Sequence, residues 1–292
     1  MRIAAVALFV IGVVAIVFGV VWMTAVFPGF EKLPADFQRE DNFSGLYKVL
    51  DSKTMKLTEM PVAIKQTRMT ERNEGDKAFI VEKVETTLPT GQPLPQFSSE
   101  LKLVVDRVTR VYQEGGQQPR TGGMGLPMNV SRDAEYPVWV SAAGQALPAR
   151  FFGTDNVNGV SVYQFNVDAK DLQLPPDATS GLPRVFDAHI EFKVEPRSGA
   201  TVDTVSQTSI SMLHPQAGKT PMFISAVEFS DDNVTRSASD AKDSRSKLVL
   251  LGTTLPWLIL VLGIFFVVDG TLLYGWFCWK RQKAKKAEPP KA

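Results

Sequence analysis

The feature that most constrains this chain is an apolar run at each of its ends. Ile3 to Phe27 holds no charged residue. As a helix it would reach roughly 35–40 Å, enough for the hydrocarbon core of a bilayer. A cleaved signal sequence is the rival reading, since Arg2 supplies a minimal positive start and Thr24-Ala25-Val26 a loosely small-residue patch. The run exceeds the roughly 7–15 residues of a signal core and no A-x-A-like site follows it, so the expectation is an anchor. Leu248 to Val268 forms a second uncharged run, and Thr271 to Trp279 continues it with Tyr274, Trp276, Phe277 and Trp279. Such aromatics suit the headgroup level, and the cluster Lys280, Arg281, Lys283, Lys285 and Lys286 that follows is expected on the cytoplasmic side.

Two spans then place both termini in the cytoplasm of a plasma-membrane protein and the centre outside it. The expected organisation is an N-terminal transmembrane helix over 1–29 and an extracytoplasmic β-rich domain over 30–232. A polar helical stalk over 233–247, a C-terminal transmembrane helix over 248–279 and a basic tail over 280–292 follow. The net charge of +1 and the 44% apolar composition average over these unlike parts. The single cysteine, Cys278, sits beside the basic tail, so no disulfide can staple the central domain and its own apolar core must hold it.

Between the spans, short apolar alternations predict strands at Val62 and Ile64, Ala78 to Val81, Leu101 to Val105 continuing to Val111 and Tyr112, and Val138 to Val140. Further runs are Phe151-Phe152, Val160 to Val167, Val185 to Glu195, Thr201 to Met212 and Met222 to Phe229. Turn clusters at Glu74-Gly75-Asp76, Pro89-Thr90-Gly91, Asn158-Gly159 and Arg197-Ser198-Gly199 separate them, the spacing of an antiparallel all-β domain. Period two is clearest in Val185 to Glu195, with Phe186, Ala188, Ile190, Phe192 and Val194 on one face. The expected fold class is mainly β, an antiparallel sandwich or open barrel flanked by the two membrane helices. Asn233 to Lys247, free of proline and glycine, reads as a polar helix capped near Ser230 or Asp231.

Residues for chemistry are sparse. The chain has two histidines. His189 shares a strand face with Asp187 and Glu191, where alternating charges on a wet face explain them better than a metal does. G-x-S-x-G and H-E-x-x-H are both missing, so no enzyme activity, catalytic residue, metal or cofactor is expected. A glycine-rich loop, about Gln113 to Arg132, carries Met124, Leu126 and Met128 on an otherwise polar background. These are candidate ligand or lipid contacts, in an adaptable lid or a surface touching the bilayer; simple packing is the alternative. Asp269, the acid in the second apolar run, is the candidate intramembrane acid, unless the span stops near Val268. Small residues Ala5, Gly12, Ala15 and Gly19 share a face of the first span, and Gly252, Gly263 and Gly270 dot the second. Such stripes predict close pairing of the two spans or of two copies. Asn42, Asn129 and Asn233 open N-x-[ST] triplets.

Leu33-Pro34, Asp106-Arg107-Val108-Thr109 on a strand, Tyr136-Pro137, and Gly159 with Tyr163 and Phe165 carry a likeness to a family. Glu195-Pro196 with Gly199, and Pro256, Gly263 and Asp269-Gly270, extend it over nearly the whole chain. Together they resemble the actinobacterial PorA-type family, long carried as a domain of unknown function, with a hydrophobic span at each end and a β-rich middle. The family's porin label implies passage through a lipid layer. Layout alone is similar to scavenger receptors that tether a lipid-carrying ectodomain by both ends. The leading expectation is a non-enzymatic domain that binds or transfers a lipid or other hydrophobic envelope component, or scaffolds the envelope, with a porin or channel subunit as the alternative. Expected partners are membrane lipid and a second copy through the transmembrane helices, and not nucleic acid.

Overall fold

A computed structural model describes residues 2–51, 53–216 and 218–286. The last six positions of the expected basic tail lie outside the described residues. The chain begins with helix α1 (Arg2–Val21), a π-helical turn (Trp22–Val26) and a 3₁₀ turn (Phe27–Gly29). Strands β1 (Gln38–Leu50), β2 (Leu57–Glu74), β3 (Lys77–Thr87), β4 (Ser99–Asp106) and β5 (Tyr112–Gln113) come next. They are followed by β6 (Tyr136–Val140), β7 (Gln145–Val157), β8 (Val160–Leu174), β9 (Arg184–Glu195), β10 (Ala200–His214) and β11 (Gly218–Phe229). The chain is then helical through α2 (Asp231–Val249), a π turn (Leu250–Thr254) and α3 (Leu255–Lys286). Contacts divide it into two units, 1–31 with 246–292, and 32–245.

In the helical unit, both helical runs are long and apolar enough to cross a membrane. Ala5, Gly12 and Gly19 recur every seventh residue of α1, and Pro256, Gly263 and Gly270 every seventh of α3; all six are buried. A seven-residue repeat keeps one face toward a partner helix. The contacts run in opposite order along the two helices: a side chain at Gly12 would meet the Gly263 carbonyl at 2.6 Å, and one at Gly270 the Phe9 amide nitrogen at 2.8 Å. The spans therefore pair antiparallel within one chain, backbone against backbone, as small residues allow. Trp22 Nε1 donates to the Leu251 carbonyl at 2.9 Å, across from one π turn to the other. The larger side chains, such as Val10, Val14, Phe18, Leu258, Leu262 and Phe265, point outward.

The second unit is one antiparallel sheet of eleven strands curled into a half-barrel, in the order β5-β4-β3-β2-β1-β11-β10-β9-β8-β7-β6. Each strand lies beside its chain neighbour except β5 and β6, which stand at opposite ends of the order, and β1 on β11 joins the two halves. The concave face of β6–β9 holds the main core, with Phe165, Val167, Phe186 and Val194 fully buried alongside Ala149, Val138 and Leu126. A second cluster, Leu33, Ala78, Ile80, Leu103, Val105 and Tyr112, lines β3–β5. Strand β6 is packed on both sides, since Val138 and Val140 join the first cluster while Trp139 packs against the second. The convex face is wet: Glu40 with Lys65 and Lys48 with Glu59 form ion pairs between β1 and β2, and Lys83 pairs with Glu85 along β3. The first half of α2 covers part of that convex face, burying Ala238 and Ala241 against Val160, Val162 and Val202.

One expected strand is corrected. Of Asp106-Arg107-Val108-Thr109 only Asp106 is on a strand, and the run from Leu101 to Tyr112 is broken after it. β4 ends at Asp106, whose Oδ1 accepts from the amides of Val108 (2.9 Å) and Thr109 (2.7 Å) and from the Thr109 hydroxyl (2.9 Å). A side chain that binds the backbone two and three residues on makes a turn more favourable than continued ladder. Arg110 closes it at φ +61°.

Candidate functional site

The glycine-rich loop stitches the sheet's two edges to each other. Gly123 bridges Val111, next to β5, and Val138 of β6. The Tyr112 amide donates to the Gly122 carbonyl at 2.8 Å and Met124 to the Arg110 carbonyl at 2.9 Å, while the Gly123 amide reaches Pro137 at 2.6 Å and Trp139 donates back to Gly123 at 3.2 Å. The glycines are required by space. A Cβ on Gly122, which sits at φ +72°, would lie 2.7 Å from the Pro137 carbonyl, and one on Gly199 would lie 2.0 Å from that of Pro127. Leu126 is 1% exposed inside the main core; Met124 packs against the second cluster, and Met128 is half-buried. Of the three expected contact residues, Leu126 could meet a ligand only if the loop left the sheet.

Beside this seam lies a buried group of charges that the sequence reading did not single out. Register places Arg39, Arg68 and Glu82 side by side on β1, β2 and β3, with Asp41 beside Gln66 on the same face. Glu82 accepts from Arg68 Nε (3.1 Å) and Gln66 Nε2 (3.0 Å), and pairs with Arg120 Nη1 from the glycine-rich loop at 2.8 Å. Asp41 takes both carboxylate oxygens to Arg39 Nε, at 2.9 and 2.8 Å. Burial alone would raise both carboxyls. The charges of Arg68 and Arg120 on Glu82, and of Arg39 and Arg68 on Asp41, outweigh it and hold each below its ordinary value. Arg110 differs: among the described residues its hydrogen bonds go to the carbonyls of Leu126, Ser198 and Gly199. Burial, reinforced by the Arg39 charge, pushes its guanidinium down to about 10. It ties the glycine-rich loop to the turn after β9.

The remaining candidates stand apart from this group. His189 Nδ1 is 2.7 Å from Asp168 Oδ1, and Asp187 is taken by Lys219 at 2.6 Å; Asp168, Asp187 and Lys219 line a shallow depression together with Lys170. Among the described residues no three His, Cys, Asp or Glu side chains are placed to hold a metal. Asp269 lies in α3, partly exposed, next to the Gly270 contact with α1. Asn233 is 1% exposed and its Oδ1 accepts from the Asn42 amide at 3.0 Å, so it offers no reachable acceptor in the folded domain.

A search of curated proteins finds no match. The Porin PorA family profile matches residues 4–272, which takes in nearly all of α1, the whole half-barrel and the first half of α3. A pair of apolar helices around a β-rich centre, matched over almost its full length, makes this chain a membrane protein that belongs to the PorA porin family.

Proposed function

We propose that the protein is a two-span plasma-membrane protein with both termini in the cytoplasm, whose half-barrel works without enzymatic chemistry in the aqueous space outside. There it scaffolds the envelope or holds a hydrophobic envelope component for transfer. The observation that carries this reading is the charged convex face of β1–β3. Strands that cross lipid need an apolar outward band about 25 Å tall, and Lys48, Lys65 and Lys83 interrupt any such band. The helices meet the lipid and the strands meet water.

The family name favours a second reading, a pore. Conduction would then run between helix pairs of several copies, because one pair closes on its own glycines and turns large apolar side chains outward. Asp269 is the acid such an assembly would present. Native mass spectrometry of the detergent-purified full chain, together with planar-bilayer recordings, separates the two. Copurifying lipid without conductance supports the binding domain. Several subunits with discrete conductance, lost in Asp269→Asn, support the pore and overturn the first reading.

A further inference from the structure

The buried charge group carries more positive than negative charge: Arg39, Arg68 and Arg120 pair with Asp41 and Glu82, and Arg110, whose charge is felt against that of Arg39, has no carboxylate partner among the described residues. Cationic charge removed from water without a counter-charge is costly, and proteins rarely leave it uncompensated. Within the same group two buried donors have no acceptor among the described residues, Arg120 Nε and Trp139 Nε1. The Arg120 side chain is 4% exposed, so bulk solvent does not serve it. Its guanidinium carbon stands 5.6 Å from the centre of the Trp139 ring and 5.3 Å from that of Tyr112. Elsewhere in the sheet Arg72 stacks directly on Phe79 at 3.7 Å. Arg120 Nη1 also donates to the Tyr112 hydroxyl at 3.2 Å, which leaves Nε as the donor without an acceptor on this side chain, with Trp139 Nε1 in the same position on the neighbouring ring.

We infer that the half-barrel holds a small monovalent anion of the halide class between Arg120 Nε and Trp139 Nε1. Buried donors without acceptors call for an occupant, and the surplus of arginine favours an anion over water. Chloride is only somewhat larger than a water molecule and accepts from several donors at once. Because Arg120 belongs to the glycine-rich loop and Trp139 to β6, the bound ion would fasten the loop to the strand that Gly123 already bridges. The site makes no use of either membrane helix, so it stands whichever reading of the whole protein holds.

The test is thermal unfolding of the full chain in detergent, with sodium chloride titrated against sodium gluconate at constant ionic strength. Gluconate is too bulky to enter. Chloride should raise Tm along a saturating curve, and Trp139→Phe, which keeps an aromatic ring and removes the donor, should raise the half-saturating concentration about tenfold. Arg120→Gln should abolish the chloride response, but it also strips Glu82 of a partner, so the Phe variant is the one that decides. Crystals grown in bromide should show an anomalous peak beside Trp139. Equal Tm in the two salts, an unchanged half-saturation in Trp139→Phe, or a peak anywhere else would overturn the site.

Discussion

The helix pair and the half-barrel solve opposite problems with the same amino acids. In the helical unit the smallest residues are inside and the largest apolar ones face out, whereas in the half-barrel Phe165, Phe186 and Leu103 are inside and lysine and glutamate face out. The reason is the solvent. Against lipid, burying a leucine gains little, so the helices adhere where missing side chains let backbones touch. Against water, each large apolar side chain taken inside contributes about 1.5–3 kcal/mol. A single substitution should thus have reversed consequences in the two regions.

The largest effect is expected in the half-barrel. Phe165→Ala removes a side chain that is fully buried and in edge contact with Tyr136 and Phe151, and should cost about 3–5 kcal/mol by chemical denaturation. An equally stable variant would show that the core is looser than its packing implies. Gly12→Leu is the mirror experiment. Adding an apolar side chain here should separate α1 from α3 and cost about 1–3 kcal/mol. Cysteines placed at Ala5 and Gly270 would report it through lost cross-linking, and unchanged cross-linking would break the comparison.

Acid sharpens the contrast further. Asp41 and Glu82 have folded values held below the ordinary ones. Their contribution is therefore complete above the unfolded carboxyl values, about 4, and is lost as pH falls through the lower folded values. Tm of the half-barrel should hold steady from neutrality down to that range and then drop, while the α1–α3 cross-link is unaffected. The smallest effect is expected on the convex face, where Lys48→Ala breaks an exposed pair with Glu59 and should change stability by about 0.5 kcal/mol or less.

Both helices and the hairpin spacing were legible because each rests on local pattern. In Val185 to Glu195 the alternation from Phe186 to Val194 marks the inner face, where Phe186, Ala188, Ile190 and Val194 are buried and Phe192 half-buried. Ala5, Gly12, Gly19, Gly263 and Gly270 stood out as a stripe, and the structure spends that stripe inside one chain. The buried charges were not legible for a physical reason. Arg39-x-Asp41 and Arg68 with Glu82 alternate as a wet strand face does, and period two separates the faces of a strand without saying which is inside when polar residues take the inner one. The seam was hidden as well, since Gly123 pairs with residues from two other segments and nothing near it in sequence announces a strand. Asp106 did carry a usable sign, an aspartate three before a threonine, the pattern of a side chain that bends its own backbone.

An open sheet has two exposed rims of unpaired amide and carbonyl groups, and each is a template on which a neighbouring molecule can add a strand. By lending Gly123 to both rims at once, the chain occupies its own templates. Copies crowded along a membrane surface are thereby denied the simplest route to fibrous polymerisation, at a cost of one short loop in which bulky residues do not fit.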